Sequence, residues 1–205
     1  YHQLHLWEKY AYQWNPPMLL SYKLETVSPA LSTYLQETYH VPIERLLIAT
    51  SDIPTQISVE QKQYWRYTLR TELKIEPTTY VYVYNGSCKP WQCFSETVKF
   101  FIQERARKPD SLLLVLTPDK ELATKILKEN NIFPYAHVLS VNHGQVIPYI
   151  CTADVGIILR HPHIINWVSR PTKALEYQAG LLKIAHNNTV GWLIENYPYL
   201  IDTEH

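Results

Sequence analysis

The chain has no excess of charge of either sign, few cysteines and no long hydrophobic run. Lys plus Arg and Asp plus Glu number 19 each, so the formal net charge is zero. Because nucleic-acid-binding domains usually carry a basic excess, we expect no nucleic-acid partner. No stretch of about 18 or more apolar residues is present, and the sequence therefore predicts no transmembrane segment.

Cysteine usage points away from disulfides and from a zinc site. Cys88, Cys93 and Cys151 form an odd, low set, and reduced thiols in a cytoplasmic protein are the simplest interpretation. Cys88 and Cys93 have no matching Cys or His pair nearby in the sequence, so we expect no metal. The opening residues show neither a signal peptide nor an initiator Met, and we expect the chain to belong to a longer protein.

The first third of the chain predicts a helix, a strand and a second helix. Ser28 and Pro29 suit the start of a helix, and residues 46–50 form a short apolar run typical of a buried strand. Trp65, Leu69 and Leu73 repeat at helical spacing within 58–75, which predicts an amphipathic helix stopped by Pro77.

From about residue 77 the pattern becomes a regular alternation of apolar strands and helices. Strands are predicted at 80–84, 112–116, 135–141, 154–159 and 181–185, with helices at 94–107, 118–127, 146–151 and 171–179. Continuous apolar strands separated by helices require a parallel sheet covered on both faces. We therefore predict an α/β, Rossmann-like, doubly wound sheet, which binds ligands at the carboxyl ends of its strands.

Two loops at predicted strand ends carry candidate ligand-binding residues. In the first, Gly86 permits close approach of the backbone and Lys89 can meet an anion, although a tight turn with a solvated lysine fits equally. In the second, Arg160 can reach a phosphate or form a surface ion pair. His161 and His163 lack a third ligand at suitable spacing, so we interpret them as loop residues.

A third element, the predicted helix that begins at Pro171, combines an anion-binding end with a carboxylate. Thr172 and Lys173 add donors and charge to the helix N-terminus, as a diphosphate requires. Glu176 lies one turn later on the same face and can accept hydrogen bonds from ribose hydroxyls. An ordinary helix with a Lys–Glu pair is the alternative. Gly180 is predicted to end the helix.

The last third of the chain resembles retaining GT-B glycosyltransferases of the glycogen-synthase-like and capsule-sugar kind. These proteins often show a strand that reads Ala-Asp-Val/Ile-Gly, followed by Pro-x-Lys-x-x-Glu-Tyr-x-Ala-x-Gly. The chain has the first pattern at 153–156, and from 171 to 179 it follows the second, with Gly180 one position earlier than the pattern places it. Upstream, Tyr84-Asn85-Gly86-Ser87 is similar to the loop after the first strand of their donor domain.

The resemblance implies roles for named residues. Glu176 would hold the ribose of the donor nucleotide, and the remaining nucleotide-binding residues would be Thr172, Lys173, Arg160, Gly86, Ser87 and Lys89. Asn166, Ser169 and Arg170 are weaker candidates for contact with the donor sugar. No metal or cofactor is implied, since the helix dipole and basic side chains would neutralise the departing nucleoside diphosphate.

The chain departs from the pattern at three further places. Many relatives carry a second Glu eight positions before the ribose-binding one, where this chain has Val168. The basic pair of the first loop is reduced to Lys89, and residues 180–183 read Gly-Leu-Leu-Lys in place of Gly-x-Pro-Val. These departures leave the identity of the donor open.

The resemblance implies a donor-binding region that passes a sugar from a nucleotide-sugar to an acceptor with retention. Residues 1–56 would be a remnant of the acceptor domain and linker, 57–76 a connecting helix and 77–205 the donor domain. A glycan or lipid-linked acceptor would bind through the missing part of that N-terminal domain, so we expect this chain alone to be inactive.

The expected location is cytoplasmic, peripheral to the inner membrane in the full-length protein. The alternatives are a non-catalytic nucleotide- or sugar-binding domain and a nucleotide-sugar epimerase.

Overall fold

The computed structural model describes residues 23–49 and 57–197, which belong to two compact units. The first unit extends to Ser51 and the second begins at Asp52. The functional division into 1–56, 57–76 and 77–205 stays a prediction. In the described residues, no helix combines the length and the apolar character that crossing a membrane requires.

The first unit contains a small parallel β-α-β arrangement. Strands β1 (Leu24–Thr26) and β2 (Leu46–Ile48) pair in parallel, and helix α1 (Pro29–Tyr39) connects them. As predicted, Ser28 caps this helix: its Oγ accepts a hydrogen bond from the Leu31 N–H at 3.1 Å. The predicted strand at 46–50 is confirmed over its first three residues, whereas β1 was not predicted, because three residues carry too little periodicity.

The second unit is built on a five-stranded, wholly parallel sheet in the order β5-β4-β3-β6-β7. Its strands are β3 (Tyr80–Asn85), β4 (Ser111–Leu116), β5 (Ala136–Leu139), β6 (Val155–Ile158) and β7 (Lys183–His186). All five were predicted. The first of them in the chain, β3, lies between β4 and β6, so the strand order reverses there. In such sheets the crevice at the reversal point is where ligands bind.

Helices cover both faces of the sheet, which confirms the doubly wound fold. The α-helices described in this unit are α2 (Val59–Glu72), α3 (Phe94–Arg107), α4 (Lys120–Glu129), α5 (Val146–Ile150), α6 (Ile164–Trp167), α7 (Thr172–Ala179) and α8 (Gly191–Asn196). One face packs against α3 and α4 through Phe94, Val98, Phe101, Ala123 and Leu127. The other packs against α5, α7 and α8 through Val146, Ile150, Ala174, Tyr177 and Leu193. Burial of each large apolar side chain contributes about 1.5–3 kcal/mol.

Helix α2 is confirmed over residues 59–72 of the predicted 58–75, but its most buried side chain is a charged one. Trp65 and Leu69 are half-buried, whereas Arg70 is only 4% exposed. The Arg70 guanidinium donates to Asp154 and to the backbone carbonyls of Thr152, Glu76, Pro77 and Thr79. Burial lowers the pKa of Arg70 to about 10. A full set of acceptors allows this cation to be buried without a ligand.

Asp154, in the Ala-Asp-Val-Gly pattern, is held at the amino edge of the sheet. It accepts hydrogen bonds from Arg66 at 2.8 Å, from Arg70 at 3.2 Å and from the Val81 N–H at 2.8 Å. It directly precedes β6, at the end of that strand away from the predicted ligand site. This motif residue therefore joins α2 to the sheet.

Helix α7 ends at Gly180, as predicted, but the left-handed residue is the next one. Leu181 has a φ of 55°, whereas Gly180 has a φ of −76°. A Cβ atom on Gly180 would lie 2.8 Å from the Ile150 Cγ2. Close packing against α5 therefore accounts for this glycine.

Candidate functional site

The carboxyl ends of β3 and β6 meet the start of α7 at the point where the strand order reverses. Asn85 ends β3, Arg160 lies two residues beyond β6, and Thr172 begins α7. The predicted residues of three separate loops are thus brought to one edge of the sheet. That edge is where doubly wound sheets bind their ligands.

Glu176 of α7 is held by the last residue of β3. The Asn85 Nδ2 donates to the Glu176 Oε2 at 2.5 Å. Burial raises the pKa of Glu176, and the Asn85 hydrogen bond, His143 and Lys173 oppose that rise. Sequence analysis gave Asn85 no role. Its signal was its place as the last strand residue before Gly86.

Lys173 is nearly enclosed although it carries an ionisable amine. It is 7% exposed, its Nζ donates to the Gln92 Oε1 at 3.2 Å, and the Nζ lies 4.7 Å from the centroid of the Tyr84 ring. Burial lowers the pKa of Lys173 to about 7, and repulsion from Arg160 acts in the same direction. The sequence predicted a lysine at the helix end that faces an anion. The folded chain places it under the segment of residues 86–92 that follows β3, called the β3 loop below.

Arg160 is anchored through its backbone and leaves its guanidinium beside the same loop. The Arg160 N–H donates to the Asn187 Oδ1 at 3.2 Å, and the Asn187 Nδ2 donates back to the Arg160 carbonyl at 2.8 Å. The Arg160 Nη1 donates to the carbonyls of Leu159 and Gln92 at 2.9 and 3.5 Å. Burial lowers the pKa of Arg160. Asn187, just after β7, was missed as a site residue.

Gly86 is required by close approach as well as by its backbone conformation. Its φ is 138°, in the left-handed region, and a Cβ atom there would lie 3.0 Å from the Lys173 Nζ. A side chain at this position would push on the lysine and strain the turn. The loop thus covers Lys173 because residue 86 is a glycine.

Tyr177 fixes the end of β3 from beneath. Its hydroxyl accepts from the Asn85 N–H at 3.0 Å and donates to the Val83 carbonyl at 3.4 Å. Burial raises the pKa of Tyr177. A Cβ atom on Gly156 would lie 2.3 Å from a ring carbon of Tyr177, so this glycine makes room for the ring. The Gly and Tyr of the two sequence patterns are therefore packing partners.

The N-terminus of α7 points its first amides at this edge. Pro171 is the N-cap, with helical residues starting at Thr172, one position later than predicted. The first backbone bond of the turn runs from the Ala174 N–H to the Pro171 carbonyl at 3.0 Å. The N–H groups of the exposed Thr172 and of Lys173 precede that bond, and such groups bind anions at helix starts.

The remaining predicted residues lie in the flanking loops and in the short helix α6. Ser87 accepts a hydrogen bond on its carbonyl from the Tyr84 hydroxyl at 2.6 Å, and Lys89 is exposed, with its Nζ 5.2 Å from the Trp91 ring centroid. The Asn166 Nδ2 donates to the His161 carbonyl, and the Ser169 Oγ donates to the Asn166 carbonyl, both at 2.8 Å. Arg170 is half-buried just before α7. The roles inferred for these residues stay predictions.

Comparison with solved structures identifies the architecture. The chain is similar to WaaG, a glycosyltransferase involved in lipopolysaccharide biosynthesis, with a TM-score of 0.63 and 15% identity over 84% of this chain and 46% of that one. For a glycosyltransferase from Rickettsia africae the TM-score is 0.63, with 12% identity over 87% of this chain and 48% of that one. Anabaena HepE, solved in complex with UDP and glucose, has a TM-score of 0.58 and 13% identity over 83% of this chain and 45% of that one. Neither a protein-family profile nor a curated protein sequence matches the chain.

The likeness to these structures is one of fold, the GT-B fold. The five-stranded parallel sheet of the second unit corresponds to their Rossmann-like C-terminal domain. The chain spans about half the length of the solved chains that it matches. The predicted fold class is therefore confirmed.

Proposed function

We propose that this chain binds a nucleotide-sugar donor and forms the donor-binding region of a glycosyltransferase. The observation that carries the proposal is the cluster of Glu176, Lys173 and Arg160 around the β3 loop, at the reversal point of a GT-B-type sheet. Paired hydroxyls and a diphosphate are the two chemical groups that a carboxylate beside two cations suits best.

Glu176 is proposed to bind the ribose of the donor. Its carboxylate is partly desolvated and accepts from a neutral amide, the Asn85 Nδ2. Vicinal hydroxyls offer two donors to the same carboxylate. The Asn85 hydrogen bond already sets the orientation of the Glu176 carboxylate. The ribose hydroxyls would bind beside that hydrogen bond or replace it.

Lys173, Arg160 and the first amides of α7 are proposed to bind the diphosphate. Lys173 is buried and Arg160 is half-buried, which strengthens their attraction for an anion relative to fully solvated side chains. The same charges would stabilise the departing nucleoside diphosphate during sugar transfer. The donor site itself is proposed to need no metal.

We further propose that the sugar is transferred with retention at the anomeric carbon, that the acceptor is a glycan or is lipid-linked, and that the full-length protein acts in the cytoplasm at the inner membrane.

Calorimetry with UDP, GDP and ADP tests the proposal on the chain as it is. We expect one nucleotide to bind to the wild-type chain. Loss of a charged hydrogen-bond acceptor removes about 1.5–3 kcal/mol, so Glu176→Gln should weaken binding at least about tenfold. Glu129→Gln removes an exposed carboxylate paired only with Lys125 at 3.9 Å, and should leave the affinity unchanged.

Two results would contradict the proposal. One is the absence of binding by all three nucleotides and by their sugar conjugates. The other is binding that Glu176→Gln and Glu129→Gln affect equally.

A non-catalytic nucleotide-binding domain is the second candidate, and Val168 favours it. The retaining GT-B glycosyltransferases that this chain resembles often have a glutamate at that position. This chain has an apolar, half-buried residue there. An assay for sugar release separates the candidates: we expect the 205-residue chain to bind donor without turnover. Transfer should appear only in a protein that includes an acceptor domain. Conversion of the donor without any acceptor would instead show an epimerase.

A further inference from the structure

Three side chains that are typical metal ligands converge next to the proposed donor site. The Cys93 Sγ, a Glu96 carboxylate oxygen and a His161 ring nitrogen all lie within 4.8 Å of one another. The His161 Nε2 is 3.9 Å from the Glu96 Oε1. In the sequence His161 is far from the other two, so only the fold brings the set together.

The fold positions each of the three through backbone structure. Cys93 is the N-cap of α3 and Glu96 lies in its first turn, so the two side chains are on the same face of that helix. His161 directly follows Arg160, whose backbone is held on both sides by Asn187. These positions do not depend on contacts among the three side chains themselves.

The distances fit a tetrahedral ion after a small contraction. Zinc–sulfur bonds of about 2.3 Å and zinc–nitrogen or zinc–oxygen bonds of about 2.0–2.2 Å put neighbouring ligand atoms about 3.4–3.6 Å apart. The observed separations of 3.9 and at most 4.8 Å exceed this by about 0.5 Å and by at most about 1.4 Å. Side-chain rotation of His161 and Glu96 can close the gap, since they are 58% and 43% exposed.

The burial pattern also fits an ion that enters from solvent. Cys93 is 1% exposed and forms the floor, while the half-exposed Glu96 and His161 form the rim. The Cys93 Sγ has a weak contact to the Trp91 carbonyl at 4.0 Å and accepts a hydrogen bond from the His161 backbone N–H. A His–Glu ion pair alone would not require a thiol beneath it.

We propose that Cys93, Glu96 and His161 form a three-ligand site for a thiophilic divalent cation, with Zn²⁺ favoured. A thiolate and an imidazole select zinc over magnesium or calcium, and three protein ligands leave one position open. Cys93 follows Gln92 and His161 follows Arg160, so the ion lies at the border of the proposed donor site. The metal site stands on its own geometry and does not require that a nucleotide bind.

Titration of the metal-free full chain with Co²⁺ tests the site. A cobalt–thiolate bond gives a charge-transfer band in the near ultraviolet, and tetrahedral Co²⁺ gives strong visible bands. We expect both to saturate at one equivalent and to disappear when Zn²⁺ is added. Because the chain holds 9 histidines, the thiolate band is the deciding signal.

Matched variants assign the ligands. Cys93→Ser should abolish the thiolate band, whereas Cys88→Ser should keep it, because Cys88 lies in the same loop and its Sγ contacts the Thr117 Oγ1 instead. His161→Gln alters an exposed side chain and leaves folding intact; it should weaken Co²⁺ binding at least about tenfold. His163→Gln, at an exposed histidine two residues away, should not.

Three results would overturn the site: no thiolate band in the wild-type chain, a band that survives Cys93→Ser, or equal affinities for the two histidine variants. None of these bears on nucleotide binding, which is measured without Co²⁺. Failure of the metal site and failure of the proposed function are therefore distinguishable.

Discussion

Two cations are buried at opposite edges of the same sheet, and their surroundings differ. Arg70, at the amino edge, is 4% exposed and donates to one carboxylate and four backbone carbonyls. Lys173, at the carboxyl edge, is 7% exposed and has the Gln92 amide oxygen and the Tyr84 ring. Burial lowers the pKa of both, to about 10 for Arg70 and to about 7 for Lys173.

The difference separates a structural charge from one suited to a ligand. A buried cation with a complete set of acceptors stabilises the elements that supply them. A buried cation with one neutral acceptor costs free energy in the absence of an anion. Replacing each of these two residues by Met should therefore change the free energy of unfolding in opposite directions, or change it only for Arg70.

Arg70→Met is expected to have the largest effect. It removes one of the donors to Asp154 and the Arg70 hydrogen bonds to four backbone carbonyls, and should lower the free energy of unfolding by about 3–5 kcal/mol. Urea denaturation measures the change. Arg107→Met, at a 70% exposed arginine paired with Glu104, should cost no more than about 1 kcal/mol. Equal losses for the two variants would contradict the structural role of Arg70.

Lys173→Met should act in the opposite way. Nucleotide binding is expected to weaken by about 1.5–3 kcal/mol, because a charged donor to the diphosphate is lost. Stability at pH 6 should stay the same or rise by about 1 kcal/mol, since an underpaired buried charge is replaced by an apolar side chain. Calorimetry and urea denaturation report the two quantities. A strongly destabilised variant would show that Lys173 is as structural as Arg70.

The stability of the wild-type chain should depend on pH through Lys173. Its pKa is about 7 in the folded chain against an ordinary value of 10.5, so the unfolded chain holds more protons between these values. The free energy of unfolding should therefore rise with pH across this window, by at most about 1.4 kcal/mol per pH unit.

Other titratable and charged groups also affect how stability depends on pH, and a comparison with Lys173→Met removes their contribution. The groups that shift its pKa besides burial are Arg160, Glu176, Cys93 and Cys88. Subtracting the Lys173→Met curve from the wild-type curve isolates the lysine. Parallel curves from pH 6 to 9 would refute the lowered pKa.

Gly86→Ala is expected to have the smallest effect. The left-handed φ of 138° and the 3.0 Å approach to the Lys173 Nζ should together cost about 1 kcal/mol of stability and weaken nucleotide binding. Gly144→Ala is the matched control, because a Cβ atom there meets nothing within 4 Å. Thermal unfolding of both variants measures the effect. Identical midpoints would mean that the loop does not closely cover Lys173.

The sheet could be predicted from sequence because its strands are continuous apolar runs. Val81 and Val83 pack on one face and Tyr82 and Tyr84 on the other, so all four of these consecutive positions are buried. Helices α6 and α8 were not predicted, because four and six residues carry too little periodicity. Arg70 was missed since an arginine on an amphipathic helix normally faces water.

The candidate site was only partly predictable. Sequence spacing placed Lys173 and Glu176 on one face of a helix, and the rule for strand ends placed Arg160 nearby. The partners Asn85, Gln92 and Asn187 are set by tertiary contacts, which no local pattern encodes. The same holds for the proposed metal ligands, since His161 joins Cys93 and Glu96 only in the folded chain.

The packing of Tyr177 on Gly156 also constrains how this sequence can diverge. Any side chain at residue 156 would overlap the aromatic ring, while a smaller residue at 177 would leave a void and free the end of β3. Single substitutions at either position are therefore disfavoured, and paired ones are needed. Among homologues of this chain, positions 156 and 177 should vary together or not at all.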